Sequence, residues 1–314
     1  MGRRADRGRR IDAWLVIDKG EGITSTQVVG RVKHLTQAQK VGHGGTLDPL
    51  ATGVLPIAMG EATKTVSYVM DAPKRYAFTI RFGEARDTDD AEGLLFATSD
   101  WRPSDAEIAA ALPRFLGEIM QRPPTYAAVK IQGERAYEIA RRGETVTLEP
   151  RSVRIDELEL VGRPDPDHAE FEMVCGKGAY VRALARDLGE LLGCHAHVSR
   201  LRRTAVGAFG LDQAVTLETL ERLVEDESLP QVLISVATAL AGIPALAVTE
   251  PQALRLRAGQ SIRVSPRLFG EPPEEGAMIK VTQAGELVAL ARFGVDELSP
   301  VRVFNLKGGQ TARA

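Results

Sequence analysis

The amino-acid sequence predicts an α+β fold: a mixed, mostly antiparallel sheet flanked by helices, followed by a small all-β domain. Three observations predict it. Several segments alternate apolar and polar residues with the two-residue period of a half-buried strand. Helical segments lie among them without the strict strand–helix–strand alternation of a parallel sheet. Beyond Pro230 and Pro244 only short strand-like runs remain.

Along the chain, Arg3, Arg4, Arg7, Arg9 and Arg10 precede the first apolar run, with Asp6 among them. No apolar segment with a cleavage site follows and the stretch holds no serine, so residues 1–10 read as a disordered basic arm rather than a leader. Residues 13–18 (AWLVID) read as a first strand. Ser25 offers an N-cap for a helix with Val28, Val29, Val32 and Leu35 on one face. Residues 41–60 hold five glycines and two prolines, which is loop chemistry around a short apolar run. In the strand over 74–83, Tyr76, Phe78, Ile80 and Phe82 share a face.

Ser104 and Glu107 form a capping box for a helix with Ile108, Leu112, Phe115 and Leu116 inward. Residues 137–142 look helical and stop at Gly143. Strands are expected over 153–160, with a phase slip near Asp156, and over 170–175. A helix over 180–192 buries Val181, Leu184, Leu188, Leu191 and Leu192 and ends at Gly193, and a further helix covers 217–224. Runs at 279–281, 286–293 and 301–306 make the tail a β unit, so the domains are expected at 11–243 and 247–308.

A length of 314 residues gives room for two cores. Cys175 and Cys194 are far apart and outside any CxxC, which suits a reducing cytoplasm and supplies neither a disulfide framework nor a cysteine zinc site. No run of 18 apolar residues exists, so no membrane span is expected. The net charge of −2 conceals blocks of opposite sign. Residues 1–64 carry 10 basic against 6 acidic groups, residues 173–203 carry 6 against 2, and residues 251–314 carry 9 against 6. Such blocks would draw a polyanion if they shared a face, and they also arise on any mixed surface.

The glycine-rich segment matches neither a phosphate loop nor a dinucleotide fingerprint, since GxxxxGK[ST] is absent and Leu47 occupies the last fingerprint position. In the DTDDAEG stretch, Ala91 and Thr98 stand where a calcium loop needs oxygen ligands, which leaves a turn of solvated acids. Cys194, His195 and His197 do not have the ligand spacing of a zinc site, and no metal and no cofactor are expected. No GxSxG elbow is present. Asp48 remains, in Gly44-Gly45-Thr46-Leu47-Asp48-Pro49. Pro49 holds Asp48 extended and the glycines admit a close neighbour. A carboxylate on so stiff a turn suits a nucleophile or base, and it equally suits an Asx-type turn. Arg182 falls in the first turn of its helix, where the dipole disfavours a cation. A carboxylate from elsewhere would compensate it, and Asp48 is one candidate. Tyr76 reads first as a core aromatic.

The segments Val41-Gly42-His43-Gly44-Gly45-Thr46-Leu47-Asp48-Pro49-Leu50-Ala51-Thr52-Gly53, Lys74-Arg75-Tyr76 and Lys177-Gly178-Ala179-Tyr180-Val181-Arg182 closely resemble the bacterial tRNA pseudouridine-55 synthases, the TruB family. The resemblance covers about residues 10–240, and the tail from about 247 resembles the family's RNA-binding PUA domain. It implies isomerisation of a uridine in the tRNA T-loop, without cofactor or metal, by a cytoplasmic monomer that needs no protein partner. Asp48 matches the catalytic aspartate, Arg182 its arginine partner and Tyr76 the tyrosine stacked on the target base. His43 matches the histidine against the flipped nucleotides, and Leu201 an apolar wall. Tyr180 is expected to support the site, and Lys19, Lys177, Arg200, Arg202 and Arg203 to contact RNA. Two positions depart from the family pattern: Gly20 stands for proline after Lys19, and Gly44 for a frequent threonine. The family's acidic turn, residues 87–93, reads as structural. A non-catalytic tRNA-folding module, a guide-RNA-dependent synthase subunit and a glycosidase using Asp48 are the competing readings.

Overall fold

The structure, a computed structural model, describes residues 8–127, 130–131, 134–135, 142 and 148–306. The expected helix over 137–142, residue 142 aside, and residues 1–7 of the basic arm lie outside the described residues. In chain order the first part runs β1 (Ala13–Lys19), α1 (Ser25–Thr36), β2 (Val41–His43), β3 (Thr52–Met59), α2 (Val66–Asp71), β4 (Lys74–Phe82), β5 (Glu84–Arg86), β6 (Leu95–Thr98) and α3 (Asp105–Ala111). It continues with β7 (Gly117–Gln121), β8 (Lys130–Ile131), β9 (Glu134–Arg135), β10 (Arg151–Asp165), β11 (His168–Cys175), α4 (Val181–Leu191), β12 (Ala196–Val206), β13 (Phe209–Gly210), β14 (Ala214–Val215) and α5 (Leu217–Glu225). The tail adds β15 (Ala245–Ala247), α6 (Glu250–Arg257), β16 (Ile262–Arg263), β17 (Met278–Gln283), β18 (Glu286–Phe293) and β19 (Glu297–Val303).

The main sheet has the order β14-β1-β3-β12-β4-β11-β10-β7, with β2 added beside β3 and β13 beside β12. Only β1/β14 and β3/β12 pair in parallel, so the sheet is mixed and mostly antiparallel as the sequence predicts. Its central strands are buried on both faces. Ala13, Leu15 and Ile17 of β1, with Leu55, Ile57 and Met59 of β3, enter one core with α1 and α4. Trp14 and Val16, with Val54 and Ala58, enter a second core on the opposite face, which the tail completes with Leu287, Leu290 and Phe304. Double burial explains why residues 13–18 read as a continuous apolar run instead of an alternation.

The glycine-rich segment corrects the expectation of a loop. Its apolar run becomes β3, an eight-residue strand between β1 and β12, and the loop is confined to the turn from β2 into β3. Loop composition at both ends concealed it. The stretch after Gly193 forms β12, whose apolar residues alternate with arginines. Thr24 rather than Ser25 caps α1, in a box with Gln27, and Ser25 is released for another task. The Ser104–Glu107 box and the slip near Asp156 are both present, the latter as a register shift between Ile155 and Glu157. Leu116, expected inward, is exposed just beyond the short 3-10 turn that follows α3. The basic arm was expected to reach residue 10, yet Arg9 exchanges backbone hydrogen bonds with Gln37 and Gln39. The five-stranded tail sheet is present, with α6 packed on it.

Gly44 sits where the turn leaves β2. A Cβ there would lie 2.7 Å from Val69 Cγ1 and 3.3 Å from Trp14 Cζ3. The glycine at this position therefore belongs with this chain's Val69 and Trp14. Gly44→Thr is expected to cost about 1–3 kcal/mol from overpacking, and Val69→Ala to recover part of that loss in the double variant. Additive losses in a denaturant-unfolding cycle would show that the two positions do not compete for space.

Candidate active site

Five groups fix the turn that carries Asp48. The Ser25 hydroxyl donates to the Leu47 carbonyl at 3.0 Å and accepts from the Leu47 N–H at 2.9 Å. Lys19 Nζ donates to the Pro49 carbonyl at 3.0 Å, and the Gly22 N–H reaches the same oxygen at 2.9 Å. Arg203 holds the Gly45 and Thr46 carbonyls at 3.0 and 3.2 Å. The fifth group is Arg182, whose Nη2 stands 2.9 Å from the Asp48 carboxylate. The turn is thus held at its backbone from β1, the loop after it, the start of α1 and β12, and Asp48 is held at its side chain from α4.

Arg182 lies in the first turn of α4 as expected, and it is 4% exposed. Besides Asp48 it meets the Asp90 carboxylate at 3.5 Å and donates to the carbonyls of Thr88 and Tyr126 at 2.9 and 3.2 Å. Two carboxylates and two carbonyls offset both the burial and the unfavourable helix dipole. Gln121 fixes the helix start by bonding the Tyr180 N–H and carbonyl at 2.8 and 3.1 Å. The Asp48 side chain keeps 35% of its surface while that of Arg182 keeps 5%. The carboxylate therefore faces an open space with its counter-charge buried behind it.

That space is a cavity of about 240 Å³ lined by Asp48, Tyr76, Lys177, Tyr180, Leu201 and Arg203 among others. Asp48 is its only acid among the described residues. Clefts of about 480 and 390 Å³ lie elsewhere, the first beside Arg186 and Asp89, the second between Arg200, Arg202 and Glu172. Neither contains Asp48. Tyr76 is partly exposed, and burial of its phenol raises the hydroxyl's pKa against the lowering effect of the Arg203 guanidinium beside it. Leu201 forms an apolar wall. His43 ends β2, and its Nδ1 accepts the Gly45 N–H at 3.3 Å.

Two expected RNA contacts require correction. Lys19 is 1% exposed and spends its ammonium on the carbonyls of Gly20, Ile23 and Pro49. Burial lowers its pKa to about 8 against the pull of Asp48. Arg203 is 2% exposed and bound to main-chain oxygens. Neither is placed to reach a phosphate. Alternation along β12 turns Leu201 and Arg203 to the cavity and Arg200 and Arg202 to the 390 Å³ cleft, where Arg202 pairs with Asp18 at 2.7 Å. Lys177 is exposed at the cavity and pairs with Asp71 at 2.7 Å.

The acidic turn over 87–93 is part of the site. Its Asp90 is 3% exposed, and burial raises its pKa in spite of the Thr88 hydroxyl and Arg182. Asp89 pairs with Arg186 at 2.9 Å. Arg182 and Arg186, four apart on one helix, thus grip consecutive acids of the turn. That spacing beside an acidic cluster was the available sequence signal.

The mixed sheet that places the carboxylate turn and the buried arginine at its centre has counterparts among solved structures. The solved structure of an H/ACA RNP bound to a substrate RNA containing 2'-deoxyuridine shares this fold, with a TM-score of 0.73 over 98% of this chain and 92% of that one at 21% identity. Residues 33–181 match the N-terminal domain of TruB family pseudouridylate synthases, and residues 182–241 match the tRNA pseudouridylate synthase B C-terminal domain. A Bradyrhizobium diazoefficiens protein named tRNA pseudouridine synthase B is 54% identical over 310 residues, 97% of this chain and 89% of that protein. One of the same name from Gluconacetobacter diazotrophicus is 54% identical over 307 residues, 96% and 99% of the two chains. This chain belongs to the TruB family of pseudouridylate synthases, and it is an isomerase.

Burial pushes the Asp89 carboxyl up to about 6, against the opposing effect of Arg186. Between about pH 4 and 6 the folded chain keeps a proton that the unfolded chain has released. The contribution of Asp89 to stability therefore declines as pH rises through that window, and the loss is complete above it. Asp89→Asn removes this slope. Urea midpoints at pH 4.5 and 6.5 should show a smaller drop, or a larger gain, for the variant than for the wild type; identical changes would contradict the assignment.

Proposed function

We propose that this chain converts a uridine in the T-loop of tRNA, position 55, to pseudouridine, with Asp48 as the nucleophile. The observation that carries the reading is the contact of 2.9 Å between the half-open Asp48 carboxylate and the buried Arg182. The relatives named tRNA pseudouridine synthase B support tRNA as the substrate. The reaction breaks the bond from N1 to C1′, turns the uracil and forms a bond from C5 to C1′. A proton leaves C5 and one is gained at N1, so the product is an isomer and no redox partner is needed. An ionised carboxylate serves either attack at C6 or assistance at C1′. Arg182 supplies the counter-charge that holds the carboxylate in place.

A stacked base cannot enter the cavity, so the target nucleotide is flipped out at a cost of a few kcal/mol. Tyr76 and Leu201 supply the faces that receive it, Tyr180 closes the side beside the helix start, and His43 meets the neighbouring nucleotides. Lys177 at the mouth, with Arg200 and Arg202 farther along β12, supplies positive charge for phosphates. Aromatic residues are 5% of the chain, too few for a long stacking platform, which suits a folded RNA held by shape. A glycosidase would need a second carboxylate facing Asp48 across the cavity. Among the described residues Asp48 is the only acid in the lining, and Asp90 is buried behind Arg182. The chain acts on tRNA in the cytoplasm as a monomer.

With tRNA tritiated at uridine C5, the wild type should release tritium to water. Asp48→Asn should lower release more than about 1,000-fold while keeping most of the tRNA affinity. A variant that turns over at the wild-type rate would remove Asp48 from the nucleophile's role. Neutralising about three phosphates should weaken tRNA binding about tenfold or more between 50 and 200 mM salt; an affinity indifferent to salt would exclude the phosphate contacts.

A further inference from the structure

We propose that Arg203 is a positioning residue of the reaction: one guanidinium clasps both ends of the turn that carries Asp48 and stands against the Tyr76 hydroxyl. The inference rests on the function proposed above. In the sheet, Arg203 lies between Gly53 of β3 and Tyr76 of β4, its register partners on either side. Its side chain donates backwards along the turn, from Nη2 to Gly45 O at 3.0 Å and from Nη1 to Thr46 O at 3.2 Å. It donates forwards from Nε to Val54 O at 2.9 Å. Asp48 sits between these two anchor points.

The main chain makes the same connection. Gly53 has φ +99, and a Cβ there would lie 2.2 Å from the Arg203 carbonyl oxygen. The exit of the turn is thus pressed against the backbone of the residue whose side chain holds the entrance. Close approach and positive φ both demand glycine at this point.

Burying a cation among neutral carbonyls is costly, and an apolar side chain would fill the same volume without that cost. What an apolar side chain lacks is a planar fork that spans three carbonyls in fixed directions. Lysine also lacks it, because its ammonium donates from a single point. Loss of the fork should let the turn move relative to Arg182 and Tyr76, which are held by α4 and β4. The nucleophile and the receiving face would then lose their mutual alignment, with little effect on contacts to the body of the tRNA.

The test measures Arg203→Lys and Arg203→Gln in the full chain by cooperative melting, tRNA affinity and single-turnover tritium release. Both are expected to melt cooperatively and to bind tRNA within about threefold of wild type, with release slowed about tenfold to a hundredfold, the size expected of misalignment. Wild-type release rates in both variants would overturn the proposal. So would a loss confined to tRNA affinity, and so would the failure of both variants to melt cooperatively, which would assign Arg203 to the stability of the fold alone. A wild-type protein that binds tRNA and releases no tritium would instead refute the function on which the proposal stands.

Discussion

The buried guanidinium of Arg182 is the point on which the site depends. It faces Asp48 at 2.9 Å and Asp90 at 3.5 Å, and two carbonyls take further donors. A cation at a helix N-terminus, almost without solvent, persists only with such compensation. Removing one partner of a buried pair typically costs about 3–5 kcal/mol because the other charge is left uncompensated. The helix α4, the acidic turn and the Asp48 turn are therefore bound to one another through a single side chain. Asp90 is the enclosed partner and Asp48 the open one, so burial alone distinguishes the two acids.

The rest of the fold serves to hold the Asp48 turn still. Lys19 reaches it from the end of β1, Ser25 from the start of α1 and Arg203 from β12. These elements are rigid because β1, β3 and β12 adjoin at the centre of the sheet and bury side chains on both faces. The tail contributes indirectly. Its Leu287, Leu290 and Phe304 close the core behind Trp14 and Val54, and Lys64 Nζ and the Glu61 carboxylate bond the main chain at Val303 and Asn305. The C-terminal domain is packed against the back of the sheet whose loops bear Asp48.

Polar side chains were harder to read than apolar ones. Ser25 resembles an N-cap by type and position, yet Thr24 caps the helix and Ser25 bonds Leu47. Lys19 and Arg203 resemble phosphate contacts by charge, yet both are buried against carbonyls. The same side-chain donor serves a phosphate or a carbonyl, and composition does not say which is near. The acidic turn was passed over because clustered carboxylates are ordinarily solvated.

Local pattern was enough for most elements, since period-two alternation, capping boxes and glycine stops act over a few residues. It was enough for β4, for the slip in β10, for the face of α4 and for the small tail sheet. Asp48 stood out as a candidate because a carboxylate between glycines and a proline is restricted by its neighbours in the chain. The oddity of Arg182 was legible from its place in the helix. Tertiary structure alone decided which charges meet. Asp48, Asp90, Arg182 and Arg203 come from four separate segments, and contact between them is a property of strand order and burial. Double burial likewise concealed β3 as a central strand, because a strand covered on both faces carries no one-sided pattern to recognise.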